Sequence, residues 1–108
     1  SNVSIIAYTY ALLPKPITKI TWKSIGPKKV QISWSAPNNG GAPITKYGYG
    51  WQCSCSKKYN GDFHIAGSKK SIVITGWIKG KTYKFWVWPV NRVGPNYVGK
   101  VFVIKPTK

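Results

Sequence analysis

Alternation of apolar and polar positions organises this chain. Tyr83, Phe85 and Val87 fall on one face of an extended segment and Lys84, Trp86 and Trp88 on the other, the two-residue period of a β-strand. Asn91 to Pro95, NRVGP, stops that strand. Earlier in the chain, Ile20 and Trp22 point one way with Lys19, Thr21 and Lys23 opposed. Gly26-Pro27 then turns into Val30, Ile32 and Trp34, again on one face, with Gln31, Ser33 and Ser35 on the other. Residues 36–43, APNNGGAP, are a loop by their density of turn formers. Ser71, Val73 and Thr75 form a further outward set. Near the C-terminus the alternation is read with Val101 and Val103 inward and Lys100, Phe102 and Ile104 outward. No long run has helical spacing, and Val, Ile, Thr, Tyr and Trp dominate, so the domain is expected to be all-β.

Two parts are expected: an apolar arm over residues 1–14 and a single domain over 15–108, since the length suits one core. The arm carries no charge. Ile6, Tyr8, Tyr10 and Leu12 share one face of an extended chain, and Ile5, Ala7 and Thr9 the other. An uncharged β-prone segment left bare is an aggregation hazard. It therefore packs on its own domain or adds as a strand to a neighbouring subunit.

VQISWSAPNNGGAPITKYGYGW, with Trp34, Pro37, Gly41, Pro43, Ile44 and Tyr47, resembles the B strand, BC loop and C strand of fibronectin type III domains. SIVITGWIKGKTYKFWVWPVNRVG resembles their E to F region, and Tyr83 after the Lys79-Gly80-Lys81-Thr82 turn resembles the tyrosine corner of β-sandwiches. The ordered set Trp34, Tyr47, Tyr83, Asn91 and Gly94 makes the resemblance specific over about residues 16–105. It implies a two-sheet immunoglobulin-like sandwich with sheets A-B-E and C-C′-F-G. Two departures stand out. Trp77 replaces the usual Leu before the corner, implying a rearranged core there, and Pro89 lacks a ladder donor, implying a bulge or a bonding gap.

Seventeen cations stand against one acid, Asp62, for a formal net charge of +16. So few internal ion pairs are available that the self-repulsion points to an acidic partner. All the cations but Arg92 are lysine, which favours diffuse attraction over a bidentate grip. The outer side of the A-B-E sheet is expected to form a basic surface of Lys19, Lys23, Lys28, Lys29, Lys69 and Lys70. The outer side of the other sheet is expected to be apolar: Gly48, Gly50 and Gln52 from one strand, Trp86 and Trp88 from the next, then Phe102 and Ile104. The two indoles either cover the bare glycine strand or, with Phe102 and Ile104, mark an interface.

An enzyme is not expected. One carboxylate and one imidazole, His64, provide neither a carboxylate pair nor a triad. Asp62 in Tyr59-Asn60-Gly61-Asp62 reads as a turn residue. Cys53, Cys55 and His64 supply three ligands where a structural zinc site takes four, so no metal or cofactor is expected. A Cys53–Cys55 bridge would be strained in extended backbone, which leaves free thiols or a loop-closed disulfide. No segment is long and apolar enough to cross a bilayer as a helix. Specific nucleic-acid binding is not expected, because clustered lysines and exposed aromatics fall on opposite sheets.

These features suggest a structural or decorating subunit of a larger assembly, in a virion or outside the cell. Its arm residues Ile5, Ile6, Tyr8, Tyr10 and Leu12 and its patch Trp86, Trp88, Phe102 and Ile104 would meet copies of itself, while the lysines lie on an acidic protein scaffold. The alternative is a secreted adhesion module for an anionic glycan or cell surface, stacking its ligand on Trp86, Trp88 and Trp51, of which Trp51 is disfavoured by its inward alternation. A third, weaker reading is a non-specific nucleic-acid binder held by charge alone.

Overall fold

The computed structural model describes residues 11–108. Among these residues eight strands make two antiparallel sheets: β1 (Thr21–Gly26), β2 (Lys29–Ser33), β3 (Lys46–Cys53), β4 (Asn60–Ala66), β5 (Ser71–Thr75), β6 (Tyr83–Asn91), β7 (Gly94–Pro95) and β8 (Phe102–Ile104). One sheet has the order β1-β2-β5. The other runs β4-β3-β6-β7, with β8 pairing further along the same edge of β6. This is the expected two-sheet sandwich. The apolar residues that the alternation places inward meet between the layers, where Val30, Ile32 and Phe85 have no exposure at all; Tyr47 and Ile104 are equally buried.

The β1–β2 hairpin turns at Gly26-Pro27, and Lys28 takes the left-handed position with φ 59°. Proline presets the first central residue of such a turn, while the second is usually Gly or Asn. At the same end of the molecule, where the Gly76 amide donates to the Lys28 carbonyl at 2.8 Å, Trp77 fills the core expected to be rearranged. Its ring is buried, lies parallel to Tyr83 at 4.4 Å and meets Trp51 edge-on at 5.9 Å. The Tyr83 hydroxyl accepts a 2.8 Å hydrogen bond from the Ile78 amide, so the phenol ties the crossover loop to the strand.

The beginning of the described chain is tied to its own domain. Leu12 N–H donates to the Gly40 carbonyl and Lys15 N–H to that of Asn38, both at 2.8 Å. Asn91 Nδ2 donates to the Leu12 carbonyl at 2.7 Å, and Asn96 Nδ2 to that of Pro14 at 2.7 Å. At Leu12, then, the backbone belongs to this domain while the side chain is exposed. Ile5, Ile6, Tyr8 and Tyr10 lie outside the described residues.

Strand β8 corrects the inward and outward assignment at the C-terminus. Phe102 is paired with Phe85 and Ile104 with Tyr83, and directly paired residues share a face. Ile104 is therefore fully buried and Phe102 packs against the core, whereas Val101 and Val103 face outward. The cause is the stretch 96–101, which leaves the ladder and does not advance in steps of two. Phe102 and Ile104 are core residues rather than part of an outer patch.

Cys53 and Cys55 form a disulfide across a turn that follows β3, with their Cα atoms 5.1 Å apart. Extended backbone would hold them at roughly 6.5 Å. The chain thus takes the loop-closed form.

Candidate functional site

The outer face of the β4-β3-β6 sheet is built on missing side chains. Gly48 stands between His64 of β4 and Trp88 of β6, and Gly50 is paired with Trp86. A Cβ on Gly48 would collide with the Trp88 indole, and one on Gly50 with the Tyr59 phenol. Trp88 therefore covers Gly48 as the alternation suggests, but the cover of Gly50 is Tyr59 and not Trp86. Tyr59 also lies over Gly61, whose Cβ position its ring occupies.

Two crossed ring pairs result. Tyr59 meets Trp86 at 5.6 Å and 67°, and Tyr97 meets Trp88 at 5.5 Å and 58°. Trp88 is buried beneath its neighbours, Trp86 is half-buried, and Tyr59 and Tyr97 are exposed. Between them runs an open groove of about 310 Å³, also bordered by Asp62, Val87, Gly99 and Lys100. The Val87 side chain belongs to the core, so this residue presents its backbone to the groove.

Pro89 accounts for the opening. No bulge interrupts the β3–β6 ladder, which runs in register from Cys53↔Tyr83 to Lys46↔Val90. The gap falls on the opposite edge, where β8 pairs only with Tyr83, Lys84 and Phe85, and β7 only with Val90 and Asn91. Pro89 has no N–H to offer there. Its carbonyl takes the Asn96 amide at 3.0 Å, and residues 97–101 make no ladder pairing with Trp86 or Trp88.

Asp62, read from sequence as a turn residue, lies within β4. The ladder shifts register between Tyr49 and Trp51, and Asp62 sits in this irregularity with φ 65°, a conformation Asp and Asn tolerate better than most residues. Asp62 thereby borders the same groove as Tyr59. Burial first, and the Asp62 charge second, hold the Tyr59 hydroxyl above the ordinary tyrosine value of 10.0.

On the opposite sheet Lys23, Lys28, Lys29, Lys69 and Lys70 are exposed, as is Lys19 just before β1. Three rows cross its outer face: Thr21–Ser33–Ser71, Lys23–Gln31–Val73 and Lys29–Thr75. Lys28 sits at the hairpin turn beside the third row, and Lys69 and Lys70 lead into the first. The predicted basic residues are thus brought to one side of the sandwich. Of the predicted patch, only Trp86 and Trp88 stay together. Trp51 faces inward, stacked on Phe63 at 5.1 Å.

Among the described residues no three His, Cys, Asp or Glu side chains come together as a metal site. A larger trough of about 780 Å³ runs between residues 15–21 and residues 33–38, with a mixed border that includes Lys15, Lys19, Thr18 and Ser35 and with Trp34 buried at its base.

Sequence reasoning missed Tyr59, Asp62 and Tyr97. The bare strand of Gly48 and Gly50 was the available signal that two large covers were required. Which aromatics supplied them depended on the β4 bulge and the course of residues 96–101, neither of which follows from alternation.

Two packed antiparallel sheets with this strand order and a phenol-tied crossover define an immunoglobulin-like β-sandwich. The fibronectin type III domain model matches residues 15–100, and the chain belongs to that family. Solved structures agree on the fold. The fibronectin type III domain of the human collagen α-1(XX) chain is 12% identical with a TM-score of 0.75, over 92% of this chain and 90% of that one. The sixth such domain of human fibronectin type III domain containing protein 3 is 19% identical with a TM-score of 0.72, over 93% and 92%. A structure of titin kinase and its flanking domains is 19% identical with a TM-score of 0.73. The match covers 91% of this chain but only 18% of the titin chain.

Proposed function

We propose that this domain is a non-catalytic binding module, a repeated decorating subunit that lies with its β1-β2-β5 sheet against an acidic scaffold. The observation that carries this reading is the exposed lysine set on one sheet, with the chain's single carboxylate placed on the other. Lysines at both ends and in the middle of a sheet give a broad field without bidentate geometry, suited to an extended acidic surface. Lys28 supports the assignment. It holds a left-handed φ of 59° at a turn position where Gly or Asn rests more easily, so a charge is kept there against the backbone preference.

Binding to immobilised polyglutamate tests the reading. Lys23→Glu, Lys29→Glu and Lys69→Glu combined are compared with Lys57→Glu, Lys58→Glu and Lys105→Glu combined, which have the same net charge. The first triple variant is expected to bind roughly tenfold more weakly than the second at about 0.15 M salt, where the screening length is about 8 Å. Equal losses would mean that only total charge matters, and the sheet would have no special role.

A further inference from the structure

We propose that the groove between Tyr59, Trp86, Trp88 and Tyr97 binds a sugar ring of an acidic polysaccharide, with Asp62 and Lys100 as its polar contacts. The groove lies on the opposite sheet from the lysine rows, so this site does not rest on the function proposed for them.

The argument begins with Asp62. Every other charged side chain in the sequence is a cation. A lone carboxylate weakens attraction to any polyanion, and the left-handed backbone at this position would accept Asn equally well. A carboxylate does what an amide does less well: it accepts strong hydrogen bonds from hydroxyl groups. Beside it the rings offer apolar faces at crossed angles, and Val87 borders the groove with backbone. Lys100 lines the same groove, and Lys84 is exposed on the same face of β6.

Three guests can be weighed against this arrangement. A quaternary ammonium would gain from the aromatic faces and Asp62. It would also meet Lys100 and the field of a chain with net charge +16. A nucleic acid strand would stack, but its phosphates carry no hydrogen for Asp62 to accept and are repelled by it. A uronate-bearing sugar uses every feature: its C–H face lies on a ring, its hydroxyl groups donate to Asp62 and its carboxylate meets Lys100.

The test follows the indole N–H signals of the full chain by two-dimensional NMR. Hexamers of polygalacturonate, alginate and hyaluronan are titrated beside polyglutamate, oligothymidylate and tetramethylammonium. At least one uronate oligosaccharide is expected to shift the Trp86 and Trp88 signals saturably while those of Trp22 and Trp34 stay in place. Asp62→Asn, compatible with the left-handed backbone, should weaken that sugar about tenfold. The same variant should strengthen polyglutamate binding, because it removes a negative charge. Tyr97→Ala, at a ring that is 72% exposed, should weaken the sugar roughly fivefold, within the range of one aromatic contact. The proposal is overturned if no oligosaccharide moves the two signals, or if oligothymidylate or tetramethylammonium moves them as strongly. It is equally overturned if Asp62→Asn tightens sugar and polyglutamate alike. Failure of the lysine-sheet comparison would leave these readouts unaffected.

Discussion

At the scale of single residues, glycines decide the shape of the candidate site. Gly48 and Gly50 give up side chains so that Trp88 and Tyr59 can lie on the backbone of β3. A methyl group on Gly48 has no room unless the indole moves, and that indole is itself held beneath Tyr97. Gly48→Ala is expected to destabilise the domain by about 2 kcal/mol, within the range for overpacking a filled site. Urea unfolding measures this directly. The summed tryptophan fluorescence of the folded baseline should change too, because Trp86 and Trp88 both border the groove that the displaced indole would alter. An unchanged midpoint would mean that Trp88 is free to swing away. The glycine pattern was legible in the sequence, as was the need for aromatic covers. The partner of Gly50 was not, because Tyr59 reaches it only through the irregular register at Asp62.

At the scale of elements, alternation proved reliable wherever a strand stays in its ladder. Val30, Ile32 and Trp34, and Tyr83, Phe85 and Val87, are buried as their spacing requires. The same reasoning fails for β8, because residues 96–101 separate it from β7 without ladder pairing and reset the count. A pair of lysine substitutions distinguishes the two parities. Ile104→Lys buries an ammonium at a site with no exposure and should unfold the domain at ordinary temperature, a loss of 4 kcal/mol or more on the order expected for an uncompensated buried charge. Val103→Lys, on the outward side at 62% exposure, should change stability by less than about 0.5 kcal/mol. Circular dichroism melts of both variants check this. The reverse ranking would restore the sequence-based assignment of Val103 to the core.

At the scale of the whole molecule, composition and architecture carry different information. The order of turn residues, indoles and phenols specifies the sandwich, while the charge says what the sandwich tolerates. With sixteen net positive charges on one small domain, self-repulsion opposes folding over distances set by the screening length. That length falls from about 30 Å at 0.01 M salt to about 8 Å at 0.15 M. Thermal stability should therefore rise steeply over this range and then level off once neighbouring lysines no longer sense one another. A gain of about 1 kcal/mol corresponds to roughly 4–8 °C in Tm for a domain of this size. Salt effects that work through apolar burial behave differently, growing with concentration well beyond 0.15 M. Melting curves in sodium chloride from 0.01 to 1 M separate the two. An early rise with a plateau identifies repulsion, relieved by ions here and by an acidic surface in the proposed assembly. A Tm that stays flat to 0.15 M would mean that the lysines are far enough apart to coexist without a partner, and the charge would lose its force as evidence for one.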